Sequence, residues 1–288
     1  MKKSLNLSKI LMIILVFFIT RCSSFNQLNS NDTLKKESSL IVRICFWNVK
    51  NLSINGLQRE NKGNYILDFS KTCDIIAFLE IRSANVNMAS EFESALDKAG
   101  ESFVCEEGES KSLPGKSRKE KYVTCSKTRI SDSISTFEFP DEEVDFARPP
   151  TFFFIEMVGK KILIIPFHST PGEKGEIEKF QKVVDLAYKN YSDRRIFFGG
   201  DFNTGSNYQK KEFLYSIPYF IYLNQLISEP TTFADQHHDL IFTDKLSGKE
   251  CKGKVWRLDE LFPDLGDRKN LEKVSDHFPV SAECKFLN

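Results

Sequence analysis

Eight polar residues that could take part in catalysis stand at the ends of apolar runs or directly beside them. Two are histidines, whose side chains accept or donate protons near neutral pH. The others are carboxylates and amides, whose oxygens suit hard divalent cations. These residue types together indicate acid–base chemistry assisted by a metal ion. In chain order the set is Asn48, Glu80, His168, Asp201, Asn203, Asp239, Asp276 and His277.

Each of these positions is weak evidence by itself, because an aspartate or asparagine at a strand end is usually a turn former. Their recurrence is more informative, since the chain has only four histidines and two of them occupy such positions. Strand ends at one edge of a sheet bring side chains together on a rigid scaffold. We therefore expect the eight residues to meet in one site, although they are spread along most of the chain.

The stretch "FFGGDFNTGS" places two glycines between an apolar run and two of these polar residues. Glycine tolerates backbone conformations that other residues avoid. The pattern predicts a hinge at Gly199 and Gly200 that ends a buried strand and turns Asp201 and Asn203 to the same side.

The elements that must position the site are mostly strands. Runs rich in β-branched and aromatic residues predict them, and two runs joined at Gly159-Lys160 predict a hairpin. Helical spacing predicts a helix over 88–100 that stops at Gly100, and a longer amphipathic helix over 173–191. Several strands follow one another directly, so a single α/β domain with mixed sheets is expected. The main predicted strands are 40–48, 73–82, 151–158, 161–168, "RRIFFGG", "HDLIFTD" and "FPVSAECKF".

The N-terminus predicts export. Two lysines precede the apolar run 10–19, which is shorter than the ~20 residues that a membrane-spanning helix needs and is typical of a signal peptide. Cys22 follows where a bacterial lipoprotein is lipidated, although Arg21 stands where a small residue is usual. The predicted organisation is a signal peptide over 1–22, a flexible tether over 23–40 and a catalytic domain over 41–288. A plain cleaved signal or an uncleaved anchor are the alternatives. The predicted location is the cell surface or outer membrane as a lipoprotein, or the medium.

Six further cysteines form an even set, which permits disulfides in an exported protein. The sequence does not choose among the pairings, and buried thiols are an equal alternative for Cys45 and Cys73 beside apolar runs. No clustered Cys/His spacing indicates zinc.

Composition limits how the chain could bind a polyanion. The 288 residues carry a formal net charge of zero, so such binding must come from a local patch. Residues 111–129 hold seven basic residues against one acidic residue, and they include Arg118 and Lys121. This run could track phosphates, or it could be a merely solvated loop.

Five motifs in this order carry a family resemblance: "FWNVKNL", "IIAFLEIR", "PFHSTPG", "FFGGDFNTG" and "SDHFPV". The chain resembles the endonuclease/exonuclease/phosphatase superfamily over roughly residues 41–287, and within it the deoxyribonuclease I branch. The resemblance implies two mixed β-sheets packed face to face with helices on the outside, and an active site at the top of the sheets.

The resemblance also implies a metal-dependent phosphodiesterase, most simply a nonspecific DNA endonuclease. A hard cation offsets the charge of a phosphodiester. The implied ion is Mg²⁺, with Ca²⁺ or Mn²⁺ as alternatives, and Glu80 is its implied ligand with help from Asn48 and Asp276. Two imidazoles, His168 and His277, would share the acid and base roles.

Four further residues receive roles from the resemblance. Glu120 would orient His168, unless it is a solvated charge in the basic run, and Asp239 would orient His277. Asp201 and Asn203 would contact the scissile phosphate or a second metal.

Four basic residues are the implied DNA contacts. Arg82 and Arg148 match arginines that contact DNA in the deoxyribonuclease branch, and Arg118 and Lys121 belong to the basic run. Arg118 is a departure, because relatives carry an aromatic residue there. The expected partner is double-stranded DNA, bound by a monomer.

Other functions remain open. A sphingomyelinase or phosphoinositide phosphatase would use the same core with different loops, and a non-catalytic surface lipoprotein would need no complete site. His237 beside His238 predicts either an accidental surface pair or a contact to the substrate.

Overall fold

Two β-sheets form the centre of the computed structural model, which describes residues 39–58, 61–82, 85–109, 111–112, 119–157, 159–171, 174–205, 223–244 and 248–287. Residues Ser39–Phe286 form one compact unit. The predicted signal peptide, Cys22 and Arg118 lie outside the described residues. Among the helices that are described, none is long and apolar enough to cross a membrane.

The strands follow the predicted pattern with shifted ends. The first begins at Ser39, so two residues of the predicted tether belong to a strand. In chain order they are β1 (Ser39–Leu52), β2 (Ile75–Ile81), β3 (Phe103–Glu107), β4 (Lys111–Ser112), β5 (Lys119–Lys127), β6 (Ile134–Glu138), β7 (Thr151–Met157), β8 (Lys160–His168), β9 (Arg195–Asp201), β10 (Leu223–Gln225), β11 (Asp239–Asp244), β12 (Cys251–Val255) and β13 (Val280–Leu287).

Six α-helices and one 3₁₀ turn are described between the strands. Their bounds are α1 (Ile54–Gln58), α2 (Asn61–Ser70), α3 (Met88–Lys98), α4 (Lys174–Tyr191), α5 (Leu258–Leu261), the 3₁₀ turn Pro263–Leu265 and α6 (Arg268–Val274). The helix predicted over 88–100 is α3, and Gly100 follows its end with a φ of 84°. The amphipathic helix predicted over 173–191 is α4.

Both sheets are mixed, as predicted. The first has the order β12-β13-β1-β2-β5-β3, with β4 paired to β5, and the second has the order β10-β11-β9-β8-β7-β6. β1 pairs parallel to β2, and β8 pairs parallel to β9, whereas β7 and β8 form the predicted antiparallel hairpin. One buried cluster joins the facing sheets, with Phe46 from the first and Phe197 from the second. A second cluster packs the apolar face of α4, including Phe180, against the outer face of the second sheet.

The prediction of a glycine hinge is wrong. Gly199 and Gly200 lie inside β9 and pair with β8 and β11. A Cβ atom on Gly199 would lie 2.5 Å from the ring of Phe46, and Gly200 has a φ of 125° with a Cβ position 2.5 Å from the carbonyl oxygen of Phe167. The first glycine therefore allows the two sheets to approach, and the second allows a backbone conformation that other residues rarely adopt.

Three disulfides form among the described cysteines: Cys45–Cys73, Cys105–Cys125 and Cys251–Cys284. The second and third join residues directly opposite each other in antiparallel strand pairs. The first ties β1 to the residues before β2, which rules out the alternative of buried free thiols there. Disulfides of this kind typically stabilise a fold by about 2–4 kcal/mol each.

Replacing Gly199 with alanine should destabilise the protein by about 1–3 kcal/mol, because the new methyl group overlaps the buried ring of Phe46. The matched control is Gly175→Ala in α4, where an added Cβ meets nothing within 4 Å. Urea denaturation of the two variants beside the parent protein measures the difference. Equal stability of all three would contradict the close approach of the sheets at Gly199.

Candidate active site

The strands of both sheets bring the predicted residues to one edge of the sandwich. In the second sheet His168 and Asp201 are direct partners across the parallel pair β8–β9, and Asp239 on β11 pairs with Asp201 from the other side. Asn48 on β1 reaches across from the first sheet to Asp201, with 3.0 Å between its Nδ2 and Oδ2. Since neighbouring strands fix the register, residues far apart in sequence become neighbours here.

The backbone is strained where the first sheet enters the site. Glu80 has a φ of 60°, Lys50 of 45° and Asn51 of 57°, although none of them is glycine. The register of β1 and β2 shifts at the same place. Such conformations cost on the order of 1–3 kcal/mol each and gather at functional sites. Here they let the backbone N–H of Asn51 donate to Glu80 Oε2 at 3.0 Å, which fixes that carboxylate.

Asn48 is fully buried and fastens two carboxylates together. Its Nδ2 donates to Glu80 Oε1 and to Asp201 Oδ2, both at 3.0 Å, while its Oδ1 accepts from the backbone N–H of Lys50. These partners fix the orientation of the amide, which directs nitrogen rather than oxygen to the carboxylates. Asn48 therefore positions Glu80 through its nitrogen, and its predicted help in holding a metal stays a prediction.

Two imidazoles face a single oxygen of Asp201. Nε2 of His168 and Nε2 of His277 each lie 3.5 Å from Asp201 Oδ2. On the far side of its ring, His277 Nδ1 lies 2.8 Å from Asp239 Oδ2, which is the pairing that the sequence predicted. This contact fixes the ring so that Nε2 points to the centre of the site.

Glu120 lies behind His168, but two arginines hold it. Arg82 contacts Glu120 Oε1 at 2.7 Å, and Arg148 contacts Oε2 at 3.0 Å. Oε2 is 3.7 Å from His168 Nδ1, so the predicted neighbour is present without a hydrogen bond. Glu120 is only 3% exposed, which excludes the alternative of a solvated loop charge.

Tyr122 is a positioning residue that the sequence reasoning missed. Its hydroxyl accepts from the backbone N–H of His168 at 3.1 Å and donates to the carbonyl of Arg148 at 3.2 Å. Arg148 in turn donates from Nε to the carbonyl of His168 at 3.0 Å. The alternation of β5 could have revealed it, because Tyr122 lies two residues after Glu120 and so shares its face.

Ser275 was also missed. It is fully buried, and its hydroxyl donates to the carbonyl of Asn48 at 2.7 Å and accepts from the backbone N–H of His277 at 3.0 Å. Trp47 supports the same segment, since its Nε1 donates to the carbonyl of His277 at 3.1 Å. The loop that carries His277 is thereby tied to β1.

Two of the four predicted DNA contacts, Lys121 and Arg148, are buried in the structure. Lys121 is buried, and its ammonium contacts Glu107 Oε1 at 2.5 Å and the carbonyl of Val86 at 2.9 Å, so its role in DNA binding is corrected to a structural one. Arg148 is only 7% exposed and donates hydrogen bonds to Glu120 Oε2 and to the carbonyl of His168. The side chain of Arg82 is 24% exposed, which leaves part of it accessible.

Two of the three predicted metal ligands, Asn48 and Glu80, lie together at the centre of the site, and the third does not. Asp276 lies at the rim, where its carboxylate pairs with Lys50 at 3.1 Å. Within the described part of the chain, no group of three or more His, Cys, Asp or Glu side chains is arranged to hold a metal. Mg²⁺ commonly takes one or two carboxylates and keeps several waters, and the Glu80 carboxylate fits that mode of binding.

The electrostatics at Glu80 also fit a cation. Burial raises the pKa of Glu80, and the neighbouring carboxylates Glu120 and Asp201 raise it further, against the hydrogen bond from Asn48. A divalent ion beside Glu80 would offset this concentration of negative charge.

The pKa values of His168 and His277 are shifted in opposite directions. Burial lowers the pKa of His168 to about 4, and the nearby Arg148 guanidinium acts in the same direction. Burial opposes protonation of His277 as well, but Asp239 and Asp201 outweigh it and raise the pKa of His277 to about 10. At neutral pH one ring is therefore neutral and the other protonated, which is the pairing that acid–base catalysis requires.

His238 lies closer to the site than an accidental surface histidine would. Its ring centroid is 5.7 Å from that of His277, and its Nδ1 accepts from the backbone N–H of Gly205 at 3.1 Å. For His237 a backbone contact is described, in which its carbonyl accepts from the hydroxyl of Thr204. The two histidines that the sequence treated as a pair are thus in different environments.

Asn203 takes a left-handed backbone conformation, with a φ of 47°. Its backbone N–H donates to Asp201 Oδ1 at 2.9 Å, and its Nδ2 donates to the carbonyl of Ser169 at 2.7 Å. These bonds place Asn203 directly beside Asp201 and hold that carboxylate from a third direction.

Comparison with known proteins confirms the resemblance. The chain is 25% identical to rat deoxyribonuclease gamma over 277 residues, covering 88% of this chain and 87% of that protein, and 26% identical to the human protein over 271 residues, covering 88% of each. No family model matches.

Solved structures of the endonuclease/exonuclease/phosphatase family have the same fold. One from Leptotrichia buccalis has a TM-score of 0.59 at 19% identity, covering 85% of this chain and all of that one. The human Nocturnin catalytic domain with bound sulfate has a TM-score of 0.58 at 13% identity, covering 88% of this chain and 98% of that one.

The free energy of unfolding of the parent protein should fall as the pH becomes alkaline, and replacing His277 with glutamine should make that fall smaller. The folded pKa of His277 is about 10 against an ordinary value of 6.5, so the folded state keeps a proton that the unfolded chain releases. The stabilisation is complete below about pH 6.5 and is lost as the pH rises towards 10. Urea unfolding at pH 6.5 and 9.5 should show a larger decline for the parent than for the variant. An identical decline would contradict a protonated His277.

Proposed function

We propose that this protein is an exported, Mg²⁺-dependent phosphodiesterase that acts as a nonspecific DNA endonuclease. The observation that carries the proposal is the placement of two imidazoles, His168 and His277, with Nε2 of each 3.5 Å from the same oxygen of Asp201. Its similarity to proteins named deoxyribonucleases over most of its length supports a phosphodiester-hydrolysing enzyme. We propose DNA as the substrate because the names of these relatives specify it.

In the proposed reaction the two imidazoles act on opposite sides of the scissile phosphate. Neutral His168 accepts a proton from the attacking water, and protonated His277 donates a proton to the leaving oxygen. Asp239 holds His277 in the donating orientation, and Asp201 lies between the two rings. When bound at Glu80, the divalent cation supplies neutralisation of the phosphate charge.

The arginine side chains of the site favour an anionic polymer as the substrate. Arg82 has both a buried partner, Glu120, and an accessible portion at the edge of the site. A guanidinium in this position can contact the phosphate backbone without reading the base sequence. Double-stranded DNA bound by a monomer is the simplest substrate arrangement.

The three disulfides support export, because such bonds persist in oxidising compartments. The proposed location is the cell surface, through a lipid at Cys22, or the medium after cleavage of a signal peptide.

His168→Ala and His277→Ala should each lower plasmid nicking by about 10²–10⁴-fold, because each removes one proton-transfer group. His237→Ala is the matched histidine control and should retain activity. The assay incubates purified protein with supercoiled plasmid and, in parallel, with sphingomyelin, each with Mg²⁺ or with EDTA. We expect nicking of the plasmid with Mg²⁺ but not with EDTA, and no hydrolysis of sphingomyelin. Hydrolysis of sphingomyelin without nicking would replace the proposal with a phospholipase function. Nicking by either alanine variant at the rate of the parent protein would remove that histidine from the mechanism.

Arg82→Ala and Lys121→Met should differ in their effect on the salt dependence of DNA binding. Arg82→Ala should weaken DNA binding and reduce its salt dependence by about one released counterion. Lys121→Met should leave that salt slope unchanged but lower the free energy of unfolding on the order of 1–3 kcal/mol, because Glu107 loses its buried partner. Binding isotherms at several salt concentrations, together with urea denaturation, test both. A changed salt slope in Lys121→Met would restore its predicted contact with DNA.

A further inference from the structure

A cleft of about 230 Å³ opens beside the catalytic centre, and His277 forms one of its walls. The other walls that matter here are Phe233, His238, Arg268 and Glu272. Sites for whole small molecules usually measure ~300–1,000 Å³. This cleft therefore suits one part of a larger substrate whose reacting group lies at His277.

The wall that carries Phe233 is rigidly fixed to His277. The turn over 231–236 closes with a hydrogen bond from the backbone N–H of Thr231 to the carbonyl of Gln236 at 2.8 Å. Thr232 pairs with His277 in an isolated antiparallel bridge, and the N–H of the next residue, Phe278, donates to the carbonyl of Thr231 at 2.7 Å. The cleft thus keeps a constant position relative to the catalytic imidazole.

Planar side chains line this cleft. Phe233 is half-buried and meets Phe278 edge-on, with 4.7 Å between the ring centroids. The guanidinium of Arg268 lies 5.6 Å from the centroid of Phe233, and Glu272 holds it at 2.6 Å. The His238 ring stands on the side of His277. Aromatic rings and guanidinium planes are the groups on which proteins stack nucleic-acid bases.

A quaternary ammonium, as in a choline headgroup, would also use an aromatic wall with nearby carboxylates. Here the position over the Phe233 ring already holds a guanidinium. Both carboxylates of the cleft also have cationic partners, since Glu272 pairs with Arg268 and Asp276 pairs with Lys50. A second cation would be repelled, whereas a neutral planar base would not.

We infer that this cleft receives the base of a nucleotide flanking the scissile phosphate, an inference that rests on the proposed nuclease function. His277 would act on the phosphodiester while the adjoining base stacks on the Arg268 guanidinium, which lies over the Phe233 ring. That base must leave its stack, and the cost is lowest in single-stranded or mismatched DNA. Within a duplex, the enzyme should therefore cleave faster beside a mismatch than at a fully paired site.

The test uses short single-stranded oligonucleotides in which one phosphodiester can be hydrolysed and all other linkages are methylphosphonates. One substrate is intact, and two others carry an abasic tetrahydrofuran on either side of the cleavable bond. For the parent protein with Mg²⁺, removing the base on one side should lower kcat/KM about tenfold. Phe233→Ala should show that loss on the intact substrate and no further loss on the abasic one.

Two additional variants make the result decisive. Phe233 also packs against the core, so Arg268→Ala, whose side chain is 59% exposed, provides a second disruption of the same cleft and should likewise reduce the dependence on the base. The matched control is Phe137→Ala. Phe137 is a 40% exposed aromatic residue on β6, the edge strand of the second sheet, and its replacement should leave the dependence on the base as in the parent protein.

The outcomes distinguish this inference from the proposed function. Equal cleavage of intact and abasic substrates by the parent protein would overturn the base cleft and leave the nuclease function standing. Base dependence retained in full by both Phe233→Ala and Arg268→Ala would do the same. No cleavage of any oligonucleotide or plasmid would overturn the nuclease function, and the base cleft with it.

Discussion

Compensation of buried charge is the constraint on which the rest of this structure depends. Glu120, Asp201 and Asp239 are almost completely buried, and Glu80 is close to them. A buried carboxylate is stable only when cations or hydrogen-bond donors surround it. The sandwich supplies those partners from both sheets, so folding and assembly of the site are the same event.

The same constraint makes the two imidazoles different. Asp239 and Asp201 raise the pKa of His277 against its burial, whereas burial, followed by the Arg148 guanidinium, lowers the pKa of His168. The difference between the two pKa values comes from the surroundings of each imidazole and not from the imidazole itself. The proposed acid and base roles therefore depend on the residues that surround the two histidines as much as on the histidines themselves.

Close approach of the sheets makes this arrangement possible. Gly199 lets the two sheets meet at Phe46, and Asn48 on the first sheet can then reach Asp201 on the second. The strained backbone at Glu80 completes the contact from the first sheet. Sequence reasoning found the importance of Gly199 but assigned it to a hinge, because a pair of glycines after an apolar run resembles a turn. Only the opposite sheet gives the real reason.

The sequence by itself determined the strand pattern, the mixed α/β class and the polar residues placed at strand ends, because alternation and residue type are local properties. It also identified Asp239 as the neighbour of His277, through a family resemblance. Tertiary structure decided which charges are buried. Lys121 and Arg148 look like surface cations in the sequence, yet both are buried, where Lys121 pairs with the half-buried Glu107 and Arg148 with the buried Glu120. Burial depends on what packs against a residue from distant parts of the chain, and no local pattern records that.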